Sequence, residues 1–438
     1  MSYSDWRQRS ARHIWHPYTD MSAFETADFP VIERAEGSTL YDIEGRALLD
    51  GISSWWCVNL GHSHPRLVRA IQEQVGQLQH TLLGGMSHPR AIELAERLAH
   101  IVPEGLGHAM FAADGTMAVE AALKIALQYW VHRGEPQRTR FIALEDGYHG
   151  DSLAAVGIGY IDRFHRPFRA ALQPALTATA PRCARCPHAC QPETCDAPCF
   201  AGMQTLVHAH HAECAAVIVE PLCQGAAGMR IYSPAYLRRL SALCREYGLL
   251  LIADEIAVGF GRTGAMFACG LAGIRPDILC LGKGLTGGML PMSATMVTDA
   301  VFEEFQSKNG ESRTLYHGTT FCGNPITSAV ALAALDVYEE ENILGRAQKS
   351  AVTLRNGMAS VAALLDDSPL SSLGMIASIE IKASAGGAAR AVRMVQQAYQ
   401  RGLFIRPLGD TIYLWPPLNI RESDLQQMVD ILTEAAQS

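Results

Sequence analysis

Short apolar segments alternate with stretches of helical periodicity from about residue 61 to about residue 330. Each apolar segment ends in a polar or turn residue, which is typical of strands buried on both faces of a parallel sheet. The predicted strands are FAAD, RFIALED, AAVIVEP, LLLIADE, DILCLGK and MSATMVT. Helical spacing marks TMAVEAALKIALQYWV and PAYLRRLSALCREYG, and Gly248 is expected to end the second helix. This alternation predicts an α/β fold with a mostly parallel sheet and helices on both faces.

The two ends of the chain have a different pattern. Residues 1–60 contain the hairpin-like segment STLYDIEGRALLD, and residues 331–438 interleave helices with SSLGMIASIEIKA and TIYLWPP. A chain of 438 residues also exceeds what one hydrophobic core usually serves. We therefore predict a large domain over 61–330 and a smaller α+β domain built from 1–60 and 331–438.

Composition narrows the class of ligand. The formal net charge of −8, from 36 basic and 44 acidic residues, argues against nucleic acid as a main partner. No apolar run approaches the ~20 residues that a membrane span needs. The first twenty residues are polar and lack the apolar region of a secretory signal. We expect a cytoplasmic protein that acts on small molecules.

Asp254 and Lys283 each follow a predicted buried strand. The carboxyl ends of such strands form the edge of an open sheet where ligands bind. Glycines around Lys283 allow the backbone to approach a ligand closely. The structural alternatives are a solvated loop lysine and a hydrogen-bonded strand-end carboxylate. Together the two residues favour a pyridine-type cofactor held as an imine, with the acid facing the ring nitrogen, and pyridoxal phosphate is the working hypothesis.

Two turns could bind the phosphate of such a cofactor. Asp114, Gly115 and Thr116 lie between a predicted strand and a helix, where backbone N–H groups can meet an anion. A second turn crowds hydroxyl groups onto a flexible backbone at Gly318, Thr319 and Thr320. Ordinary polar turns are the alternative for both.

Three further residues are candidates for ligand contacts. Tyr148 and Asp151 follow the strand RFIALED, and an aromatic ring there can stack on a flat cofactor. Arg406 follows another apolar run and could bind a substrate carboxylate with two parallel hydrogen bonds. Core packing for Tyr148 and surface exposure for Arg406 remain open alternatives.

The twelve cysteines are expected to be reduced thiols, because the chain is long and shows no export signal. Five of them crowd into an insertion at about 181–200: Cys183, Cys186, Cys190, Cys195 and Cys199. The spacing of the first two is a common half of a zinc or iron–sulfur site. A proline-rich surface insertion whose thiols bind nothing is the other reading, so no metal is assigned.

Six segments occur in this order along the chain: VNLGHSHP, GYHGD, VIVEP, IADEIAVGFGRTG, CLGKGLTGG and HGTTFCGNP. Together they resemble the class III pyridoxal-phosphate aminotransferases, and the resemblance covers essentially the whole chain. It implies a fold-type I transferase, pyridoxal 5'-phosphate as cofactor, and a homodimer with the active site at the subunit interface. The segments WHPYT, SSWW and IRPLGDTIYLWPP are similar to the biotin-pathway branch of that family. That branch converts 8-amino-7-oxononanoate to 7,8-diaminononanoate, with S-adenosylmethionine as the expected amino donor.

The resemblance also implies roles for individual residues. Lys283 would form the imine with the cofactor and move the proton, Asp254 would pair with the pyridine nitrogen, and Tyr148 would stack near the ring. The phosphate would be held by Gly115 and Thr116, with Thr319 and Thr320 reaching in from the second subunit. The residues implied for the substrate pocket are Tyr18, Trp55, Trp56, Tyr148, Gly318, Arg406 and Tyr413, with Asp151, Arg262 and Glu220 nearby.

Asp114 departs from the family pattern, because the phosphate turn reads ADGT where the family usually has DSGS. An acid beside a phosphate is repulsive unless it faces away. Two alternatives to the biotin-pathway reaction remain. One is another class III ω-aminotransferase that acts on diamines, ornithine or 4-aminobutyrate, and the other is a non-catalytic, metal-binding regulatory relative.

Overall fold

A seven-stranded sheet lies at the centre of the computed structural model, which describes residues 2–188, 190 and 195–438. Its strands are, in spatial order, His108–Ala112, Ser293–Val297, Ile278–Leu281, Leu250–Asp254, Cys214–Val219, Arg140–Leu144 and Leu176–Ala178. Only Ser293–Val297 pairs antiparallel with both neighbours, and the other pairs are parallel. The predicted α/β fold with a mostly parallel sheet is therefore confirmed.

Continuous apolar runs form the inner strands because helices cover both faces of the sheet. Every residue of Cys214–Val219, Leu250–Asp254 and Ile278–Leu281 is buried. The predicted helix after the first strand is Gly115–His132, and it buries Ala118, Val119 and Ala122 among others. The second predicted helix is Pro234–Glu246, and Gly248 follows it with φ +63°, as expected for a helix stop.

The remaining helical elements surround the sheet and continue into both ends of the chain. The α-helices besides those two are Tyr3–His13, Met21–Thr26, Pro65–Val75, Pro89–Ile101, Leu153–Ile158, Asp162–His165, Ala201–His210, Ala268–Ala272, Asp299–Glu303, Pro325–Glu340, Ile343–Ala363, Gly387–Gln400 and Glu422–Gln437. In the described residues, none of the helices has the length and apolar character needed to span a bilayer.

The two ends of the chain meet in one small sheet. Its strands are Ile32–Glu36, Thr39–Asp42, Ala47–Asp50 and Leu403–Phe404, and the last two pair in parallel. A three-stranded sheet consists of Leu370–Leu373, Ile376–Glu380 and Thr411–Leu414, and a short hairpin joins Cys223–Gln224 to Arg230–Ile231. The pairing brings both terminal segments over one edge of the central sheet, while the exact domain boundaries stay a prediction.

Candidate active site

Asp254 and Lys283 lie at the ends of neighbouring parallel strands. Asp254 is in register with Cys280 of the next strand. Lys283 follows three residues later and begins the 3-10 turn Lys283–Thr286 with φ +42°. Both side chains line a cavity of about 240 Å³ at the carboxyl edge of the sheet. The sequence-based expectation that the two residues share one site agrees with this geometry.

A buried polar group surrounds the Asp254 carboxylate. His149 Nδ1 lies 2.7 Å from Asp254 Oδ2, and the backbone N–H of Ile256 donates to Oδ1 at 3.1 Å. Burial is the largest single effect and lowers the pKa of His149, but the hydrogen bond to Asp254 and the charges of Asp254 and Glu220 together raise that pKa overall. The pair therefore favours a protonated imidazole whose Nδ1–H donates to the Asp254 carboxylate.

Glu220 is the second acid of this group. It accepts hydrogen bonds from the backbone N–H groups of Tyr148, at 3.1 Å, and Gly225, at 2.9 Å. Burial raises the pKa of Glu220 to about 7, against the opposing effect of His149. Glu220 therefore gains and loses a proton near neutral pH while it holds the backbone of Tyr148 in place.

The amine of Lys283 lies beside these acids, and the residue as a whole is half-buried. Burial lowers the pKa of Lys283, and Asp254, Cys57 and Glu220 act in the opposite direction. The Nζ atom lies 5.1 Å from the centre of the Trp56 ring. A lysine with a lowered pKa is neutral more often at physiological pH, and only the neutral amine is a nucleophile or a base.

The amino end of helix Gly115–His132 closes the cavity on one side. Asp114 caps this helix, because its Oδ1 accepts the N–H of Met117 at 3.1 Å. The carboxylate of Asp114, which stands where the family usually has a small hydroxyl residue, is therefore hydrogen-bonded to the end of this helix. The N–H groups of the first helical turn and the hydroxyl of Thr116 remain as anion ligands.

Close packing at this turn leaves no room for a side chain at either of two glycines. A Cβ atom on Gly115 would lie 2.8 Å from Ile256, and one on Gly150 would lie 2.4 Å from the Thr116 hydroxyl. Gly150 also has φ +118°, which only glycine adopts without strain. Amine, carboxylate and helix end therefore fit the aldehyde, ring nitrogen and phosphate of pyridoxal phosphate.

A larger pocket of about 800 Å³ shares Trp56, Tyr148 and Lys283 with this cavity. One wall is the turn Ser53–Trp56, whose four residues have φ between +45° and +73°. Left-handed backbone costs about 1–2 kcal/mol per non-glycine residue. Two short hydrogen bonds hold the turn, from Ser53 Oγ to the Trp415 carbonyl at 2.6 Å and from Ser54 Oγ to Asp50 at 2.7 Å. As a result Trp56 faces inward while Trp55 remains 41% exposed at the pocket.

Asp151 joins two tyrosines on another wall of the pocket. Tyr18 donates to its Oδ1 at 2.5 Å and Tyr148 donates to its Oδ2 at 3.0 Å. Burial raises the pKa of Tyr18 to about 12, and burial also raises the pKa of Tyr148. Both phenols therefore stay protonated and present neutral aromatic faces around a carboxylate.

Arg406 and Tyr413 complete the predicted pocket residues from the C-terminal segment. The guanidinium of Arg406 lies 4.9 Å from the centre of the Trp55 ring, and Tyr413 accepts the Trp56 Nε1–H at 3.2 Å. Within the described residues Arg406 has no carboxylate partner and bonds weakly to the Tyr18 carbonyl at 3.5 Å. It is thus available for a carboxylate of a ligand.

Gly318, Thr319 and Thr320 lie elsewhere on this chain. They line an apolar groove of about 980 Å³ that contains neither Lys283 nor Asp254. The hydroxyl of Thr319 is buried and has no hydrogen-bond partner within the described residues. The structure of the single chain therefore does not bring these three residues to its own cavity, as expected if they serve a second subunit.

Arg262 lines neither the small cavity of Lys283 and Asp254 nor the larger aromatic pocket. It is fully buried and donates to the carbonyls of Met375, at 3.0 Å, and Pro416, at 2.7 Å, and to Asn59 at 2.9 Å. Burial lowers its pKa to about 9. Arg262 links the central sheet to the C-terminal segment and reaches the pocket only through the Trp415 ring.

The five cysteines of the insertion lie outside both cavities. All are free thiols, and burial raises the pKa of Cys183 and of Cys190 to about 11. No three His, Cys, Asp or Glu side chains in the described part of the chain are arranged to hold a metal. Residues 189 and 191–194 of the insertion lie outside the described residues. The candidate metal site gains no support there.

The sequence placed His149 at the ligand-binding edge and Glu220 near the cofactor but gave neither a role, and it did not indicate Arg163 and Phe164, which line the larger pocket. A signal existed for the first two. Glu220 follows Cys214–Val219, the parallel neighbour of Leu250–Asp254, and His149 follows Arg140–Leu144, the next parallel strand, so both residues come after the carboxyl ends of strands at the ligand-binding edge. No sequence signal marks the other two, because their helix Asp162–His165 is four residues long.

Comparison with known proteins places this geometry in context. Residues 22–436 match the family described as Aminotransferase class-III. A relative from Geobacter sulfurreducens, named adenosylmethionine-8-amino-7-oxononanoate aminotransferase, is 40% identical over 98% of this chain and 96% of its own length. A crystal structure of that name from Methanocaldococcus jannaschii is 35% identical, with a TM-score of 0.93 over 100% of this chain and 99% of that chain. An amine transaminase from an uncultivated Pseudomonas species, solved in the PLP-bound form, is 33% identical, with a TM-score of 0.91 over 97% and 98% of the two chains.

Proposed function

Because this chain belongs to the class III aminotransferase family and is a pyridoxal-phosphate-dependent aminotransferase, we propose that it converts 8-amino-7-oxononanoate to 7,8-diaminononanoate in biotin biosynthesis. The proposed amino donor is S-adenosylmethionine. Three relatives that carry the corresponding name support this assignment, at 36–41% identity. This chain covers 96% of the length of two of them and 80% of the length of the third, which is longer.

The observation that carries the proposal is the continuity of two cavities. Lys283 and Asp254 lie in the small cavity, which opens through Trp56 and Tyr148 into the 800 Å³ aromatic pocket. The pocket is large enough for a nine-carbon chain, and it contains Arg406, which has no carboxylate partner in the described part of the chain. A long apolar substrate with a terminal carboxylate matches this lining.

Each residue of the small cavity has a defined task in this proposal. Bound pyridoxal phosphate supplies an aldehyde that carries the amino group and a ring that accepts electrons from the substrate C–H bond. Lys283 would take the proton from the substrate carbon at its Nζ atom and return it, since burial lowers its pKa. Asp254, oriented by His149, would hold a proton on the ring nitrogen. The helix end at Gly115 and Thr116 would bind the phosphate.

The walls of the larger pocket favour a donor with a positive charge. Trp55, Tyr18 and Tyr148 line the pocket with aromatic faces, and the two tyrosines donate their hydroxyl groups to Asp151. Such faces attract a sulfonium through cation–π interaction, and they also cover an apolar chain. Both proposed substrates can therefore bind in turn at the same walls.

Single-turnover mixing tests the donor. We expect S-adenosylmethionine to bleach the visible absorbance of the bound cofactor, and 8-amino-7-oxononanoate to restore it with release of 7,8-diaminononanoate, identified by mass spectrometry. Lysine and ornithine are mixed separately as controls. Bleaching by lysine or ornithine alone would overturn the donor assignment, and no restoration by the keto acid would overturn the proposed function.

We also propose that the enzyme is a homodimer whose two active sites each contain residues of both subunits. The supporting observation is the apolar groove that holds Gly318, Thr319 and Thr320, together with Leu82, Met110, Phe111, Phe302, Phe305 and Leu315. Tyr316 and Phe321 next to it are 87% and 62% exposed. An exposed apolar surface of this kind is typical of a protein interface, and a second copy would both cover it and receive the unpaired Thr319 hydroxyl.

Complementation between inactive variants checks this arrangement. Removal of both hydroxyls in Thr319→Ala/Thr320→Ala should weaken cofactor binding on the order of 10- to 100-fold, since hydrogen bonds to charged groups contribute about 1.5–3 kcal/mol. When this variant is mixed with Lys283→Ala and the subunits are exchanged, each heterodimer should regain one intact site. Recovered activity at limiting cofactor is the expected result.

Absence of recovery in verified heterodimers would show that the threonines serve their own chain. Isotopically labelled subunits and native mass spectrometry verify the exchange. Ser360→Ala is a suitable control in the same mixing experiment, because this hydroxyl is exposed on helix Ile343–Ala363 and bonds only to the carbonyl of Asn356.

A further inference from the structure

A buried carboxylate is hydrogen-bonded to the left-handed turn Ser53–Trp56. Asp50 is fully buried, and its Oδ2 atom accepts hydrogen bonds from the Ser54 hydroxyl, at 2.7 Å, and from His62 Nε2, at 2.8 Å. Its Oδ1 atom accepts the backbone N–H of Ile52 at 3.3 Å. A buried carboxylate needs donors of this kind, and here they connect the turn to a histidine outside it.

Backbone hydrogen bonds fix the carboxylate and the histidine outside the turn. Asp50 is the last residue of a strand of the small sheet and donates its N–H to the Ser38 carbonyl at 2.8 Å. His62 exchanges two backbone hydrogen bonds with Gly37, at 2.7 Å and 3.0 Å. Both residues are therefore anchored independently of the turn, and Ser54 is the residue that they restrain.

Serine, histidine and aspartate also form the nucleophilic centre of many hydrolases, where the histidine takes the proton of the serine hydroxyl. Here the Ser54 hydroxyl donates to Asp50 and lies 3.5 Å from His62 Nε2. The Nε2 atom itself donates to the carboxylate, so it offers no lone pair to the hydroxyl. The geometry therefore fits a restraint on the turn and not the activation of a nucleophile.

Trp55 is the residue of the turn that depends most on this restraint. Trp56 has strong contacts of its own, because its Nε1–H donates to Tyr413 and its ring stacks on Trp415. The Trp55 side chain makes no hydrogen bond in the described part of the chain, and the residue is 41% exposed. Its backbone has φ +73°, so a strained conformation that other bonds must hold sets the direction of its ring.

We propose that Asp50 and His62 are positioning residues of the substrate pocket, which act through Ser54 to hold the Trp55 ring at the pocket wall. Neither residue lines the cofactor cavity or the larger pocket, so their effect on a ligand passes through the turn. The Trp55 ring covers the apolar chain or the sulfonium of the two proposed substrates. The kinetic consequences therefore rest on the proposed function, whereas the placement of the ring does not.

Fluorine NMR of the purified full-length protein labelled with fluorotryptophan reports on the surroundings of the ring. Trp55→Phe assigns the signal of Trp55 among those of the six tryptophans. In His62→Leu this signal should shift or broaden, and in His62→Gln it should return toward its wild-type position, because the amide can still donate to Asp50. Ser54→Ala removes an exposed hydroxyl that donates to the same carboxylate oxygen and should act like His62→Leu.

His64→Leu is the matched control. His64 Nε2 donates to Glu341 at 3.0 Å, and its side chain is 12% exposed, close to the 14% of His62, but it is not bonded to the turn. The control loses an equivalent bond to a carboxylate and should leave the Trp55 signal in place. An unmoved signal in both His62→Leu and Ser54→Ala, or an equal shift in His64→Leu, would contradict the inference. If His62→Leu does not fold, Ser54→Ala decides the question alone.

Steady-state kinetics connect the ring to substrate binding. In His62→Leu the KM for 8-amino-7-oxononanoate should rise on the order of 10-fold with a smaller change in kcat, because a pocket wall moves while Lys283 and Asp254 stay in place. In a Trp55→Ala background the same substitution should raise KM little further, since the side chain through which it acts is gone. Equal effects in both backgrounds would show that His62 does not act through Trp55. If wild type does not aminate the keto acid at all, the proposed function has failed, and the fluorine signals still test the inference.

Discussion

Replacement of Lys283 by alanine should abolish transamination, with kcat reduced at least about 10⁴-fold, the upper range for loss of a positioned acid–base group. The side chain lines the cofactor cavity, and among the described residues no other lysine lines this cavity or the larger pocket. The variant should also lose the visible absorbance that the lysine-bound cofactor gives. Steady-state kinetics and absorbance spectra of the purified protein measure both effects.

Lys349→Ala should leave activity and absorbance unchanged, because Lys349 is exposed on helix Ile343–Ala363. Small primary amines added to Lys283→Ala should restore part of the rate by accepting the proton in place of Nζ. Substantial residual turnover in Lys283→Ala without added amine would contradict the assignment of this residue. An unchanged far-ultraviolet circular dichroism spectrum confirms that the variant is folded.

The central sheet could be predicted because its strands are buried on both faces and therefore read as continuous apolar runs. The short strand Leu176–Ala178 was missed, since three residues carry too little periodicity. Strand direction was also inaccessible: Ser293–Val297 is fully buried like the parallel strands Ile278–Leu281 and Leu250–Asp254, but it pairs antiparallel with both its neighbours. The contact of Leu403–Phe404 with Ala47–Asp50 joins residues far apart in sequence and leaves no local signal.

For the candidate site, the sequence placed Asp254 and Lys283 because both directly follow inner strands. It could not show that His149 pairs with Asp254, because His149 lies five residues after the strand Arg140–Leu144 and the path of the intervening loop places the imidazole beside Asp254. The left-handed turn Ser53–Trp56 was equally hidden, because serine and tryptophan have no preference for positive φ. Its geometry depends on tertiary hydrogen bonds to Trp415 and Asp50.

Asp254→Asn should lower kcat on the order of 10- to 1000-fold. An opposite charge within hydrogen-bonding distance shifts a pKa by about 1–3 units, and the neutral amide can no longer favour a proton on the ring nitrogen of the cofactor. The activity of the variant should therefore rise as the pH falls, because protons from solution replace the lost charge. The kcat profile against pH, compared with wild type, measures this effect.

Glu255→Gln is the matched control, since Glu255 is the adjacent buried acid and accepts the N–H groups of Ala268 and Cys269, both at 2.7 Å, on the far side of the strand. Its kcat should keep the wild-type dependence on pH.

His149 provides a second, independent readout of the same substitution. Its folded-state pKa is raised, so its interaction with Asp254 stabilises the fold below the unfolded value of about 6.5 and this stabilisation is lost as the pH rises through the raised folded value. In Asp254→Asn that dependence should reverse, because burial is then opposed only by the charge of Glu220 and lowers the folded-state pKa of the imidazole, so that the fold loses stability as the pH falls. Urea unfolding of the cofactor-free protein across this pH range measures the difference. A variant that keeps both the wild-type kcat profile and the wild-type stability profile would show that the carboxylate of Asp254 neither holds the ring proton nor charges His149.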